Sequence, residues 1–160
     1  MAKINQKITP FLWFNSEAEE AAKFYVSLFD DSKILSVARY GESGPGPKGT
    51  VMTVEFQLAG QKFIALNGGP QFKFTEAISF VINCGNQDEV DRFWSKLTTG
   101  GGIEQPCGWA RDKFGLSWQV VPTILDKLLT DPNPAKAKLA MEAMLKMKKI
   151  DIKKLQDAVK

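Results

Sequence analysis

The residues with which this chain could perform chemistry are limited, because none of its 160 residues is a histidine. Serine–histidine–aspartate and cysteine–histidine catalysis are therefore excluded, and so is any metal site built on imidazole. A general acid or base must be an aspartate, glutamate, lysine, tyrosine or cysteine side chain.

Glu55 is the only carboxylate on a predicted central strand, where polar and apolar residues alternate. It could act as a general base, or bind a ligand that carries hydrogen-bond donors. It could equally lie on a solvated strand face, or form an ion pair with Arg39. Both interpretations are open at this point.

Four other side chains are candidates with two interpretations each. Gln119 could orient a polar ligand or satisfy its strand neighbours. Trp109 could form the wall of a pocket for a planar molecule, or belong to the core. Nothing in the sequence activates the thiol of Cys107, which favours a small buried hydrophobe over a nucleophile. Asp112 begins an Asp-x-x-Gly sequence and is predicted to cap that turn with its own carboxylate.

The composition is that of an ordinary globular chain, with 44% hydrophobic residues and a net charge of +3. This length suits one domain or two small modules that share a core. No concentrated basic face with interleaved aromatic residues is present, so we expect no nucleic-acid partner. No apolar run approaches the roughly 18 residues that a membrane span requires. Two cysteines and no recognisable secretion signal favour the reducing cytoplasm.

An internal repeat organises most of the chain. Residues 8–28 align with residues 77–97 at a constant shift of 69 positions. The matched pairs are Phe11 with Phe80, Leu12 with Val81, Glu20 with Glu89, Phe24 with Phe93, Tyr25 with Trp94 and Leu28 with Leu97. Each copy is typical of a strand followed by an amphipathic helix, so the repeat predicts two copies of one unit.

Each copy predicts a strand, a helix and three more strands. In the first copy, a capping-box pattern from Ser16 to Glu19 opens the helix, and strands follow at residues 34–40, 50–58 and 61–66. In the second copy, Asn86 caps the helix, and strands follow at residues 103–105, 107–112 and 116–121. The predicted fold class is α+β: βαβββ modules at residues 6–69 and 77–122, then a helical tail at residues 123–160.

The order of these elements resembles that of the vicinal-oxygen-chelate superfamily, which includes glyoxalase, bleomycin-resistance protein and dihydroxybiphenyl dioxygenase. The resemblance covers residues 6–122 and is most specific at Asp112-Lys113-Phe114-Gly115, which precedes Trp118. Phe24 and Tyr25, late in the first helix, agree with it. Within the superfamily the chain resembles the PhnB-like proteins, often labelled 3-demethylubiquinone-9 3-methyltransferase. This resemblance implies that the two modules form one curved mixed sheet.

The resemblance also implies where a metal would bind. Superfamily members take one ligand from the first strand and one from the last strand of each module, which here correspond to Pro10, Ile64, Ser79 and Gln119. Three or four nitrogen, oxygen or sulfur ligands are needed for a divalent transition metal. Proline and isoleucine side chains supply none, so we expect no metal and no other cofactor.

Alternation along the strands predicts which side chains line the cavity. If Pro10 and Ser79 face it, Leu12, Val81 and Asn83 face it too. The side chains on the opposite, helix-covered side would then be Phe11, Trp13, Phe80 and Ile82. Glu55 and Gln119 are expected to point into one cavity between the modules.

Three functions are compatible with this sequence. The first is metal-independent binding of a small planar or apolar molecule by Glu55, Ser79, Trp109 and Gln119. The second is an enzyme that uses Glu55 and Gln119 without a metal, and the third is a dimeric scaffold without a ligand. A homodimer is expected in each case. Its interface would use the sheet edges or the tail, where Met141 and Met144 belong to an apolar stripe.

Overall fold

The computed structural model describes residues 6–160 and divides the chain into two compact units, the first ending at Lys73 and the second beginning at Phe74. The first unit contains β1 (Phe11–Phe14), α1 (Ala18–Val26), β2 (Lys33–Arg39), β3 (Val51–Leu58) and β4 (Gln61–Asn67). The second contains β5 (Phe80–Cys84), α2 (Gln87–Thr98), β6 (Ile103–Glu104), β7 (Trp109–Arg111) and β8 (Ser117–Pro122), followed by α3 (Thr123–Leu129), α4 (Pro134–Met144) and α5 (Ile152–Ala158). The predicted α+β class is confirmed.

Each unit contains one four-stranded mixed sheet, and the two sheets have the same topology. The strand orders are β1-β4-β3-β2 and β5-β8-β7-β6. In both, the first strand pairs with the last in parallel, while the remaining pairs are antiparallel. The chain between the first and last strands contains the helix and the two middle strands, and this gives the long connection that a parallel pair needs. Short turns join the antiparallel strands except β2 and β3, which are joined by the loop of residues 40–50.

A single helix covers one face of each sheet. In the first unit Tyr25 of α1 stacks near Phe56 of β3, with ring centroids 6.3 Å apart, and Phe56 stacks near Phe63 at 5.6 Å. In the second unit α2 buries Val90, Phe93, Trp94 and Leu97. The opposite face of each sheet is not covered by its own helix, and we call it the open face. Polar and half-buried side chains are concentrated there.

The two helices begin differently. Asn86 caps α2 as predicted: its Oδ1 accepts from the backbone N–H of Glu89 at 2.9 Å. The capping box predicted for α1 is wrong, because Glu17 occupies the cap position without a side-chain cap bond. The backbone N–H of Ala18 donates instead to Asn67 Oδ1 at 2.8 Å. A residue distant in sequence therefore replaces the local cap.

The register of β1 differs from the prediction by one residue. Leu12 is 6% exposed and pairs with Ala65, whose side chain faces α1, whereas Phe11 is 56% exposed. Phe11 pairs with Ile64 in the first module, and Val81 pairs with Gln119, the counterpart of Ile64, in the second. Phe11 therefore corresponds to Val81, and β1 and β5 are related by a shift of 70 residues rather than 69.

The helices keep the predicted shift, because the connection from strand to helix is one residue shorter in the second module. One residue is enough to exchange the two faces of a strand. The predicted orientations of Leu12, Phe11 and Trp13 are therefore wrong, while those of Val81, Asn83, Phe80 and Ile82 agree with the burial pattern of β5. The residue that corresponds to Ser79 becomes Thr9 instead of Pro10.

The C-terminal helices form a small core of their own within the second unit. Its buried centre consists of Leu125, Ile150 and Leu155, with Val121, Leu128, Leu129, Ala143, Met144 and Met147 packed around it. The predicted apolar stripe is thereby divided, since Met141 and Leu145 remain exposed. Dimerisation through this tail stays a prediction. Within residues 6–160 no helix is both long and apolar enough to cross a membrane.

Candidate functional site

Strand alternation places both predicted polar residues on open faces. Glu55 lies between Val54 and Phe56, which are fully buried on the helix-covered face of the first sheet. Gln119 lies between Trp118 and Val120, which are buried in the second. These orientations agree with the sequence. The two residues belong to different units, so a cavity shared by them stays a prediction.

Glu55 forms an ion pair, but its partner is not the predicted one. Its Oε1 lies 3.1 Å from Lys62 Nζ, and its Oε2 accepts a long hydrogen bond of 3.5 Å from Ser36 Oγ. Lys62 pairs with Gln57 in the register and so lies diagonally across from Glu55 on the same face. Arg39 lies at the far end of β2 and donates to the carbonyl of Gly49 at 3.0 Å. Glu55 is therefore a half-buried, ion-paired carboxylate.

The other three predicted site residues come together on the second sheet. Gln119 pairs in register with Trp109 of β7 on one side and with Val81 of β5 on the other. Its Nε2 donates to Ser79 Oγ at 2.9 Å. This bond orients the amide and leaves Gln119 Oε1 as an acceptor, on a residue that is paired with Trp109 in the register. All three side chains are half-buried.

A pocket of about 290 Å³ adjoins this cluster and is lined by Glu76, Gln105, Pro106 and Trp109. Gln105 Nε2 donates to Glu76 Oε1 at 3.2 Å, and Arg111 Nη1 lies 3.9 Å from the same oxygen. The backbone N–H of Glu76 and the Gln105 side chain hold the pKa of the Glu76 carboxyl below its usual value. The Glu76 carboxylate and the ring of Trp109 therefore line the same pocket.

Sequence reasoning missed Glu76 and Gln105. Gln105 could have been found, because its backbone N–H donates to the carbonyl of Trp109 at 2.9 Å across the turn that joins β6 to β7. Glu76 could not, since it lies in the linker before β5 and reaches the site only through the tertiary fold.

Asp112 is structural, as predicted. It is 2% exposed, and its Oδ1 accepts from the backbone N–H groups of Phe114 at 2.9 Å and Leu116 at 3.1 Å. Its Oδ2 accepts from the indole of Trp118 at 2.9 Å. The carboxylate therefore joins the turn between β7 and β8 to the core beneath it.

The two cysteines are free thiols. Burial of Cys84 raises the pKa of its thiol to about 11, which keeps it protonated and unreactive near neutral pH. Cys107 is half-buried and has a left-handed backbone, with φ of 61°. Cys107 is thus less buried than the small buried hydrophobe that was predicted, because it lies in an irregular turn before β7.

The positions at which the fold family binds a metal are chemically unsuited to one. With the corrected register they hold Thr9, Ile64, Ser79 and Gln119. Ile64 has no ligand atom, and Thr9, Ser79 and Gln119 offer only neutral hydroxyl and amide oxygens, which are poor ligands for a divalent transition metal. In residues 6–160 there is no group of three or more cysteine, aspartate or glutamate side chains placed to hold a metal ion.

Two larger pockets lie elsewhere. One, of about 550 Å³, is in the first unit beside Tyr40 and Asn67. The Tyr40 hydroxyl donates to the Asn67 carbonyl at 2.6 Å, and the Asn67 amide bonds both Ala18 and Val51. These groups are used to hold the loops together. The other, of about 540 Å³, lies between α2 and the tail. Neither contains a predicted site residue.

Comparison with known proteins identifies the family. The sequence model described as 3-demethylubiquinone-9 3-methyltransferase matches residues 6–121. The crystal structure of the PhnB protein from Bacillus cereus is 41% identical, with a TM-score of 0.68, over 74% of this chain and 100% of that one. No curated protein matches the chain.

More distant structures share the fold alone. Protein PA1353 from Pseudomonas aeruginosa is 22% identical, with a TM-score of 0.61, over 74% of this chain and 98% of that one. The fosfomycin resistance protein FosX from Listeria monocytogenes is 12% identical, with a TM-score of 0.51, over 78% and 98%. The chain is therefore PhnB-like and belongs to the family described as 3-demethylubiquinone-9 3-methyltransferase.

Proposed function

We propose that the protein binds a small planar molecule without a metal, on the open face of its second sheet. The observation that carries this proposal is the register that places Trp109 beside Gln119, together with the 2.9 Å bond from Gln119 Nε2 to Ser79 Oγ. The bond holds one amide in a fixed orientation next to an aromatic ring. A ligand would meet this arrangement without reorganising it, which lowers the entropic cost of binding.

The chemistry of the site favours a planar ligand that carries hydrogen-bond donors. The indole of Trp109 offers an apolar face for stacking, typically worth about 0.5–1.5 kcal/mol beyond the area that is buried. Gln119 Oε1 and the carboxylate of Glu76 are acceptors at its edge. The Trp109 indole N–H donates to no acceptor in residues 6–160, which leaves one donor for the ligand as well.

Metal independence is part of the proposal and is supported by the side chains themselves. Threonine and isoleucine occupy the positions that would have to supply ligands from the first unit. Serine and glutamine occupy those of the second and are bonded to each other. Binding through stacking and hydrogen bonds needs none of them to be a metal ligand. The free thiols of Cys84 and Cys107 agree with a site of action in the reducing cytoplasm.

The alternative of a metal-free enzyme gains nothing from Glu55. That side chain is ion-paired with Lys62 and about one third exposed, whereas a general base that works near neutral pH is usually shielded so that its pKa rises. The alternative of a scaffold without a ligand would fit a filled sheet face better than an open pocket beside Trp109. Binding therefore remains the better supported function.

A thermal-shift screen of aromatic metabolites and antibiotics tests this function. A ligand present at one hundred times its Kd adds about 2.7 kcal/mol of stability, which should raise Tm by roughly 5–10 °C in a chain of this size. Trp109→Ala should remove most of this shift, and Gln119→Leu should reduce it. Trp109→Phe should keep the stacking part and lose the indole N–H.

The matched control is Phe11→Ala, which removes an exposed ring from the open face of the first sheet. It should leave the ligand-induced shift unchanged. The proposal is wrong if no compound raises Tm, or if Trp109→Ala retains the full shift.

A further inference from the structure

The chain beyond residue 121, which the family match does not include, reaches back to the turn in front of Trp109. The backbone N–H of Cys107 donates to the Met147 carbonyl at 2.8 Å, and that of Gly108 donates to the Lys148 carbonyl at 2.7 Å. Gly108 in turn accepts at 2.7 Å from the backbone N–H of Val120. The turn is therefore held between strand β8 and the segment of residues 147–152, which we call the brace.

The brace is itself anchored to α2. Gln87 Nε2 donates to the Ile150 carbonyl at 3.1 Å, and Gln87 Oε1 accepts from the backbone N–H of Ile152 at 2.9 Å. Lys149 Nζ lies 2.6 Å from Asp91 Oδ1. Both anchors come from the first two turns of the same helix. The brace therefore joins the helix that covers the sheet to the turn that precedes β7.

Close packing adds to these bonds. Ile150 is fully buried and lies against Gly108, where a Cβ would come within 3.0 Å of Ile150 Cγ1. Cys107, one residue earlier, has φ of 61°, a conformation that side chains other than glycine seldom adopt without outside support. The two backbone bonds from the brace supply such support, because they fix the N–H groups on either side of the strained residue.

The same turn forms the wall of the candidate pocket. The Pro106 carbonyl accepts from the Trp109 backbone N–H at 3.2 Å, and Gln105 donates to the Trp109 carbonyl at 2.9 Å. Pro106, Gln105 and Trp109 all line the pocket. A change in the conformation of residues 107 and 108 must therefore move the ring of Trp109 relative to Gln119.

We propose that residues 147–152 act as positioning residues for the Trp109 pocket, and that Gln87 controls them from α2. The functional part of this inference rests on the proposed binding site, whereas the mechanical part does not. No residue of the brace needs to touch the ligand. Its role is to fix the turn, so that the aromatic wall and the Gln119 amide keep one geometry.

Amide hydrogen exchange in the ¹⁵N-labelled full-length protein tests the mechanical part. Gln87→Ala removes both hydrogen bonds from Gln87 to the brace, leaves the ion pair between Lys149 and Asp91 in place, and keeps a good helix former at this half-buried position. Because two hydrogen bonds are lost, exchange at Cys107 and Gly108 should accelerate about tenfold. The Trp109 indole resonance, identified by its loss in Trp109→Phe, should shift. Interior amides of α2, such as that of Trp94, serve as the internal reference.

Lys96→Ala is the matched control, since Lys96 lies on α2 and makes no contact with the brace in residues 6–160. It should leave both readouts unchanged. Unchanged exchange at Cys107 and Gly108 in Gln87→Ala, or an equal acceleration there and at Trp94, would overturn the brace. The measurement needs no ligand. A ligand screen without a hit would therefore not contradict the role of the brace. Unchanged hydrogen exchange in Gln87→Ala would likewise not contradict the proposal that the protein binds a ligand.

Discussion

Asp112→Ala is expected to lower the free energy of unfolding by about 3–5 kcal/mol, because it leaves two buried donors and one partly buried donor without an acceptor. The donors are the backbone N–H groups of Phe114 and Leu116 and the indole N–H of Trp118. Since Asp112 is 2% exposed, water cannot readily replace the carboxylate. Urea denaturation monitored by far-ultraviolet circular dichroism measures the change.

Asp112→Asn separates the two parts of this network. Its amide oxygen can still accept from Phe114 and Leu116, but its NH₂ group would face the indole N–H of Trp118. The variant should therefore lose about 1–3 kcal/mol, the cost of one unpaired buried donor. In a Trp118→Phe background the same substitution should cost less, because the donor that it opposes is gone. A loss of under about 1 kcal/mol in Asp112→Ala would contradict this account of the turn.

Gly108→Ala is expected to cost about 2–4 kcal/mol for two independent reasons. The backbone of Gly108 has φ of +81°, which an alanine adopts only with strain. The new Cβ would also come within 2.9 Å of the Val120 carbonyl oxygen and 3.0 Å of Ile150 Cγ1. Both neighbours are buried, so neither can move away freely.

Gly115→Ala isolates the first reason. Gly115 has a similar φ of +92°, and no atom lies within 4 Å of the position of its Cβ. It should lose only about 1 kcal/mol, which is the strain of the left-handed backbone. Equal losses in the two variants would mean that the contact between Gly108 and Ile150 is looser than described. Urea denaturation measures the difference in the free energy of unfolding between the two variants. The dependence of that free energy on urea concentration should be the same for both.

Most of the architecture could be predicted because it follows from local patterns. The period of apolar residues identified α1, α2 and the long strands, and the repeat predicted two copies of one module. Asn86 was found as a cap and Asp112 as the capping residue of its turn, since both act on neighbours within four residues. Such contacts can be predicted because both partners lie close together in the sequence.

The predictions were wrong where contacts between residues distant in sequence determine the structure. Asn67 caps α1 from the end of β4, which no local pattern reveals. The connection from the first strand to the helix differs in length by one residue between the two modules. The shift of 69 therefore holds for the helices but not for β1, and the predicted faces of β1 are reversed. The prediction of the pocket beside Trp109 was incomplete because parts of the pocket and of its support come from segments distant in sequence. Glu76 comes from the linker, and the brace comes from the C-terminal segment.

The candidate site was therefore predicted only in part. Ser79 and Gln119 were predicted from the ligand positions of the resemblance and Trp109 from its hairpin, and the three lie together in the second unit through strand pairing and one hydrogen bond. Glu55 lies on the first sheet and is bonded to Lys62, which a prediction limited to strand alternation did not identify. Which side chains share a face follows from periodicity, whereas which ones touch depends on register and on rotamers.

The most direct test of metal-independent binding is a titration of EDTA-treated, ¹⁵N-labelled protein with the aromatic compound that raises Tm most. The resonances to follow are the indole N–H of Trp109 and the side-chain amide of Gln119, with the buried indoles of Trp94 and Trp118 as references. The account predicts saturable shifts at Trp109 and Gln119, the same affinity before and after EDTA treatment, and little change at the references. Binding that disappears with EDTA and returns with added zinc or manganese, or shifts confined to residues around Tyr40, would contradict it.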